Sequence, residues 1–208
     1  DKGIQEAEKS GKLLKDLNIN FDASFTSYLK RAINTLEIVL NIIGKEKKYT
    51  KAWELNERHY GALTGLNKPE TEKKLGEEQF KKYRRSWDIP PPSLDENSEY
   101  SSHNDPKYKD LKNIPNTESL KDTYNRVVPY FEKNIEILLK KNKNIIISAH
   151  GNTIRALGKK VFNISDESIN SLEIPTGNPL VINFDNFGKF LNAEYLDASR
   201  KKEIISNQ

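Results

Sequence analysis

The sequence predicts an α/β fold, a three-layer α/β/α sandwich built on a mostly parallel central sheet. Three observations carry this. Residues 144–149, NIIISA, form a continuous apolar run bounded by charge, the mark of a strand buried on both faces of a parallel sheet. That run leads directly into residues 153–162, whose apolar positions repeat with helical period. Earlier, residues 21–27, FDASFTS, alternate like a short strand and are followed at 28–44 by one face of an amphipathic helix (Leu29, Ala32, Ile33, Leu36, Val39, Leu40, Ile43) closed by Gly44.

Taken in order, Ile4, Ala7, Leu13, Leu14 and Leu17 space as a helix with no strand before it. Together with the absence of methionine, this predicts that an N-terminal piece is missing from these 208 residues. Residues 55–68 show no clean period and read as loop with short turns. Pro69 suits the first turn of a helix, and residues 70–87 read as one charged, mostly solvent-facing helix ending in Arg84-Arg85. Residues 89–115 hold Pro90, Pro91, Pro92, Pro106 and Pro115, so neither helix nor strand can run through them. A connection this long is a functional lid or a disordered segment. Asn116 or Thr117 is expected to cap the following helix, whose apolar face is Leu120, Tyr124, Val127, Val128, Phe131, Ile135 and Leu138, with a bend at Pro129. Ser165-Asp166-Glu167 begins another short helix, Pro175-Thr176-Gly177 breaks it, and residues 180–184 pair with 189–196 as a hairpin around Asn186-Phe187-Gly188. The expected organisation is a single domain over 1–208, with a lid or insert at about 55–117 and a tail at about 198–208.

Composition narrows the function. The chain has 31% charged residues and a mean hydropathy of −0.79; no apolar run approaches the ~18 residues that cross a bilayer. A cytoplasmic location is expected, with no membrane partner. Zero cysteines exclude disulfides, iron–sulfur clusters and thiol catalysis, and three histidines make a protein-held metal site unexpected. The net charge of +4 invites a nucleic-acid reading, but the lysines are scattered and form no aromatic-spaced basic stripe, so no nucleic-acid partner is expected.

Two segments concentrate chemistry. His150-Gly151-Asn152 stands where a buried strand ends and a helix begins, the edge of an open α/β sheet at which ligands bind and helix N–H groups favour an anion. Gly151 permits close backbone approach to a phosphate, and Asn152 can donate from its side chain. Residues 55–68, LNERHYGALTGLNK, place Glu57, Arg58, His59 and Tyr60 in succession. On local sequence alone this run fits a salt-bridged surface turn as well as it fits a site, and His-Gly-Asn is also compatible with an ordinary turn.

The run LNERHYGALTGLNK resembles the corresponding segment of bisphosphoglycerate-dependent phosphoglycerate mutases. So do TSYLKRA (26–32), RRSWDIPPP (84–92), TESLKDT (117–123), AHGNTIRAL (149–157) and IPTGNPLV (174–181), in the family's order. The resemblance implies an isomerase of glycolysis and gluconeogenesis that interconverts 2-phosphoglycerate and 3-phosphoglycerate through a phosphohistidine, with 2,3-bisphosphoglycerate as activating phosphoryl donor and no metal. It implies Glu57 as proton donor and acceptor for the substrate hydroxyl and His150 as stabiliser of the transferring phosphoryl group. Arg31, Arg58, Tyr60, Lys68, Arg84, Arg85, Gly151 and Asn152 would hold phosphates and carboxylate. His59 lies in the same binding segment, where a supporting part suits it better, and His103 matches no role. Relatives form dimers or tetramers, so a homodimer or homotetramer is implied.

Five cationic side chains suit a substrate with two phosphates and a carboxylate, because phosphoryl transfer asks of a protein mainly positioning and positive charge around the equatorial oxygens. Arginine is favoured at such sites for its planar two-bond fork. The family's Arg-His-Gly motif, which ends an opening strand and carries the phosphorylated histidine, does not occur in the sequence, so the resemblance implies that an N-terminal central strand is absent from these 208 residues. Residues 1–7, DKGIQEA, resemble the family segment downstream of that motif, so the 208 residues alone are expected to lack mutase activity if nothing precedes them. A histidine-type phosphatase of the same superfamily and an inactive anion-binding scaffold are the alternatives.

Overall fold

The computed structural model describes residues 2–111 and 113–205. They fall into two compact units, one from the ranges 1–57 and 126–208 and one from 58–125.

The first unit is the α/β part. Its strands β1 (Ala23–Thr26), β2 (Thr50–Lys51) and β3 (Ile145–Ser148) form a parallel sheet in the order β2-β1-β3. Asp22 sets the register. Its N–H donates to the Asn144 carbonyl at 2.8 Å, and its carboxylate accepts the Asn144 N–H at 2.8 Å. Ala23 then pairs with Ile145 and Thr26 with Ser148. Helix α1 (Lys2–Asp16) packs on α2 (Lys30–Ile42), closely enough that a side chain on Gly11 would meet Ile42 at 2.8 Å. Leu36, Val39 and Leu40 of α2 bury against Ile146 of β3, with Leu14, Phe21, Ile43 and Tyr49 around them. Burying a leucine of this kind contributes about 1.5–3 kcal/mol, so this contact anchors α2 to the sheet.

Two differences from expectation concern this unit. Only Ile146 of β3 is fully buried, while Ile145, Ile147 and Ser148 are half-buried. Among the described residues β3 is an edge strand with β1 as its one neighbour, which explains the exposure. The hairpin forms as expected from β4 (Leu180–Phe184) and β5 (Phe190–Tyr195), but as a separate two-stranded antiparallel sheet. The Ser165-Asp166-Glu167 segment makes turns, and only Ile169–Ser171 completes a short 3-10 helix.

Some helix ends in this unit use asparagine where α2 uses Gly44 at φ 73°. Asn142 and Asn163 adopt φ of 56° and 53°, and the residues after them donate back to Leu138 and Lys159. The left-handed residue closes the turn and satisfies otherwise orphaned carbonyls. The expected tail is represented by Ala198–Arg200, one 3-10 turn in which Arg200 bonds Asp197 and the carbonyls of Thr176 and Gly177. Residues 206–208 of the expected tail lie outside the described residues.

The second unit is loops and short helices. The single helix expected over 70–87 is two, α3 (Lys68–Leu75) and α4 (Glu77–Arg85), broken by Gly76 at φ 81°, ψ 150°. That conformation is reached by glycine and is incompatible with a continuing helix. Asn67 caps α3 by accepting the Glu70 N–H, and Pro69 stands in the first turn as expected. No helix or strand crosses the proline-rich stretch, which holds only the 3-10 turns Ser102–Asn104 and Pro106–Tyr108 among its described residues.

Helix α5 (Leu120–Phe131) runs from residues of the second unit into residues of the first. Its cap is Ser119, not Asn116 or Thr117. The Ser119 hydroxyl accepts the Asp122 N–H at 3.1 Å and the Asp122 carboxylate accepts the Ser119 N–H at 2.8 Å, a reciprocal capping pair. Pro129 does not end the helix. The α-helical spacing widens three residues later into a π turn, Glu132–Glu136, and returns in α6 (Ile137–Leu139). A residue without an N–H removes one rung of the ladder, and a wider turn is one way to continue past the gap. Among the described residues, no helix is long and apolar enough to cross a membrane.

Candidate active site

In the first unit the chemistry gathers at the C-terminal end of the parallel strands. Helix α7 (Gly151–Val161) begins immediately after β3, with His150 as its N-cap residue in extended conformation. The imidazole is buried. Arg31 Nε donates to His150 Nδ1 at 3.1 Å, and Ser27 Oγ lies 2.8 Å from Nε2. An arginine is a donor only, so Nδ1 must be the accepting nitrogen and the neutral ring carries its hydrogen on Nε2, donated to Ser27. Ser27 Oγ also accepts the Leu29 N–H at 3.1 Å, which fixes the hydroxyl on the turn between β1 and α2.

Burial, then the charge of Arg31, then that of Arg126, depress the basicity of His150 from 6.5 to about 3. The folded protein therefore binds this proton less readily than the unfolded chain. The stability gained by keeping the ring neutral is complete above pH 6.5 and is lost as pH falls through the window from 6.5 to 3, at a total cost on the order of 3–5 kcal/mol. Denaturation midpoints across that window are expected to fall more steeply for the wild type than for His150→Gln. Equal slopes would place the proton elsewhere.

Glu57 closes the same cluster. One carboxylate oxygen, Oε1, accepts the backbone N–H of Asn152 at 3.2 Å, in the first turn of α7 where unpaired N–H groups favour negative charge. The chain leading to Glu57 is held from below. Arg126 donates to the carbonyls of Glu54, Asn56 and Glu57, at 2.6 Å for the first. Thr153 Oγ1 donates to the Asn56 carbonyl at 2.7 Å, and the Asn56 side chain accepts the Tyr28 N–H at 2.9 Å. Asn152 is oriented by Arg155, whose Nη1 donates to its side-chain oxygen at 2.6 Å. Arg31, Glu57, His150, Gly151 and Asn152 are thus brought together in one unit.

The second unit holds the remaining candidates. Arg58 is 2% exposed, and its Nη2 donates to the carbonyls of Tyr83 (2.9 Å) and Arg84 (3.1 Å) at the end of α4. The guanidinium carbons of Arg58 and Arg84 lie 4.6 and 4.8 Å from the Tyr60 ring centroid. His59 is tied to Glu118, whose Oε2 accepts both the His59 N–H (2.9 Å) and Nδ1 (2.8 Å), while the Glu118 N–H returns a bond to the His59 carbonyl at 2.8 Å. Lys68 and Arg85 are exposed, and their side chains make no hydrogen bond or ion pair with the described residues, whereas Arg84 is half-buried. His103 is exposed on its 3-10 turn.

Several supporting residues were not singled out from sequence: Ser27, Asn56, Glu118, Thr153, Arg155 and Arg126. The first five lie inside the blocks that carry the family resemblance, so a residue-by-residue look at polar positions in those blocks had the means to find them. Arg126 lies in no block and sits beside the apolar positions Val127 and Val128 of α5. Among the described residues, no three His, Asp or Glu side chains converge as a metal site.

The cluster around His150 suits an anion. A neutral imidazole bonded by Arg31, the nearby charge of Arg126 and the start of an eleven-residue helix stand with the Glu57 carboxylate, and a dianion placed there would offset the positive field and raise the proton affinity of the ring.

Comparison with known proteins shows the family. The sequence profile of the histidine phosphatase superfamily (branch 1) matches residues 1–103 and 94–195. The chain is 48% identical over 205 residues to the 2,3-bisphosphoglycerate-dependent phosphoglycerate mutase of Pelagibacter ubique (strain HTCC1062), covering 98% of this chain and 86% of that protein. It is 48% identical over 204 residues to the protein of the same name from Treponema denticola, covering 97% and 83%. Among solved structures, the YhfR protein of Bacillus stearothermophilus shares the fold with a TM-score of 0.65 at 20% identity, over 92% of this chain and 80% of that one. The profile match, the identity and the coverage together establish that the chain belongs to the bisphosphoglycerate-dependent phosphoglycerate mutase family of the histidine phosphatase superfamily.

Proposed function

We propose that the protein is a phosphoglycerate mutase, an isomerase of glycolysis and gluconeogenesis that interconverts 2-phosphoglycerate and 3-phosphoglycerate with 2,3-bisphosphoglycerate as activating phosphoryl donor. The observation that carries this reading is the placement of the Glu57 carboxylate on the Asn152 N–H, at the helix start that also presents His150 flanked by Arg31 and Arg126. A proton-transferring group and an anion cradle share one helix terminus.

Glu57 takes and returns the proton of the substrate hydroxyl as general acid and base. His150 and Arg31 stabilise the charge of the phosphoryl group in transit, with the Gly151 amide at the helix start adding a fixed donor. Tyr60, Lys68, Arg84 and Arg85 supply donors and positive charge for phosphate and carboxylate groups, and Arg58 and His59 belong to the same binding segment. On the family resemblance, 2,3-bisphosphoglycerate primes the cycle by passing one phosphoryl group to the family's histidine and leaving as a monophosphoglycerate, and the cations around His150 fit such a polyanion. The reading needs no protein-held metal. It places the protein in the cytoplasm as a homodimer or homotetramer, on the family resemblance.

The test is turnover of 3-phosphoglycerate by the native enzyme with and without added 2,3-bisphosphoglycerate. Formation of 2-phosphoglycerate that the donor stimulates supports the reading. Absence of isomerisation in its presence sinks it.

A further inference from the structure

We infer that Arg58 is a positioning residue for Arg84 and Arg85, not a phosphate ligand; the inference deepens the proposed function and rests on it only for its kinetic readout. A guanidinium grips a phosphate with two parallel bonds along one of two edges, Nη1–Nη2 or Nε–Nη2, and both edges include Nη2. Nη2 carries two hydrogens. In this structure they face the carbonyl oxygens of Tyr83 and Arg84 at 2.9 and 3.1 Å, so neither edge is available for a two-bond phosphate contact.

Those two carbonyls belong to the last turn of α4, where intrahelical partners run out. A cation there satisfies orphaned acceptors and complements the negative end of the helix. Arg58 is also 2% exposed, which suits an internal brace. The same guanidinium lies 4.6 Å from the Tyr60 centroid, and the Arg84 guanidinium lies 4.8 Å from that ring and 5.6 Å from Phe80. Arg58 therefore holds Arg84 twice, once by its backbone carbonyl and once through the shared ring. The exposed Arg85 is the next residue of the same turn. Arg58 fixes where the cationic end of α4 points, and Arg84 and Arg85 meet the anion.

Hydrogen exchange of ligand-free protein and steady-state kinetics of Arg58→Gln, Arg58→Lys, Arg84→Gln and the double variant Arg58→Gln/Arg84→Gln test this. Exchange at the last turn of α4, residues 82–86, is expected to quicken in both Arg58 variants before any ligand is added. KM for 3-phosphoglycerate is expected to rise about tenfold in Arg58→Gln with a smaller change in kcat, and the double variant is expected to be no worse than Arg84→Gln alone, because the two act as one unit. Arg58→Lys is expected not to rescue, since an ammonium cannot bond both carbonyls and lie flat against the ring. Unchanged exchange in the α4 turn, or an Arg58→Gln loss that multiplies with that of Arg84→Gln, overturns the inference and makes Arg58 a ligand. If Arg58→Gln does not fold, the same comparisons on Arg58→Lys decide the matter. If the wild type does not isomerise 3-phosphoglycerate, the proposed function fails, while the ligand-free exchange result still decides the role of Arg58.

Discussion

Glu57→Gln is expected to lower mutase turnover by roughly a hundred- to ten-thousand-fold, the range over which a positioned acid–base group acts. The substitution is a narrow one. Glutamine keeps a carbonyl oxygen able to accept the Asn152 N–H that Glu57 Oε1 accepts at 3.2 Å, so the loop and the start of α7 keep their contact. The backbone around Glu57 is held by Arg126 and Thr153 through carbonyls that the substitution does not touch. What is lost is the ability to carry a proton. The melting temperature should therefore stay close to wild type and KM should change little, with the loss in kcat. A variant that keeps wild-type kcat would remove Glu57 from the mechanism.

Gly61→Ala is expected to destabilise the second unit by roughly 3 kcal/mol or more. Gly61 has φ of 56°, a conformation that costs an L residue about 1–2 kcal/mol. The added Cβ would stand 2.1 Å from the Pro92 carbonyl oxygen and 2.7 Å from Thr117 Oγ1. The obstacle cannot rotate away. The Pro92 carbonyl accepts the Ala62 N–H at 2.8 Å, and Thr117 Oγ1 donates to the Pro91 carbonyl at 2.7 Å, so Gly61 lies against a hydrogen-bonded crossing of three chain segments. Trp87, packed edge-on to Tyr124 at 5.7 Å within the same unit, reports on it by fluorescence. Early loss of the Trp87 signal on heating, with faster exchange across residues 90–119, is the expected outcome. Wild-type melting would mean that the segments part without cost.

How much of this was legible in the sequence depends on whether the signal was local. The NIIISA run, the 28–44 helix and the hairpin were readable because hydrophobic period and turn residues lie within one window. The division of 70–87 into α3 and α4 was not, since Gly76 in a charged run reads as a tolerated glycine until its φ is known. The cap of α5 was misread because Asn116, Thr117 and Ser119 are all good N-cap residues. Only the reciprocal partner three residues on, Asp122, selects Ser119. Burial of β3 on both faces was over-read, since periodicity says nothing about how many strands flank a strand.

The candidate site divides the same way. Glu57 and His150 were found because reactive groups stood beside glycines at a strand end or within a matched block. Arg126 was not, because its role comes from where α5 lies in the fold: three carbonyls of residues 54–57 converge on one guanidinium. Arg58 was visible as a cation, but only coordinates show that its Nη2 is occupied by the end of α4.

In the proposed reaction the protein moves a phosphoryl group between two substrate hydroxyls and keeps it from water. Turnover of 3-phosphoglycerate by the native enzyme in water labelled with heavy oxygen, in the presence of 2,3-bisphosphoglycerate, tests it most directly. The expected main product is 2-phosphoglycerate, with no label in its phosphoryl group and little free phosphate. Labelled inorganic phosphate as the main product would contradict it and make the protein a phosphatase.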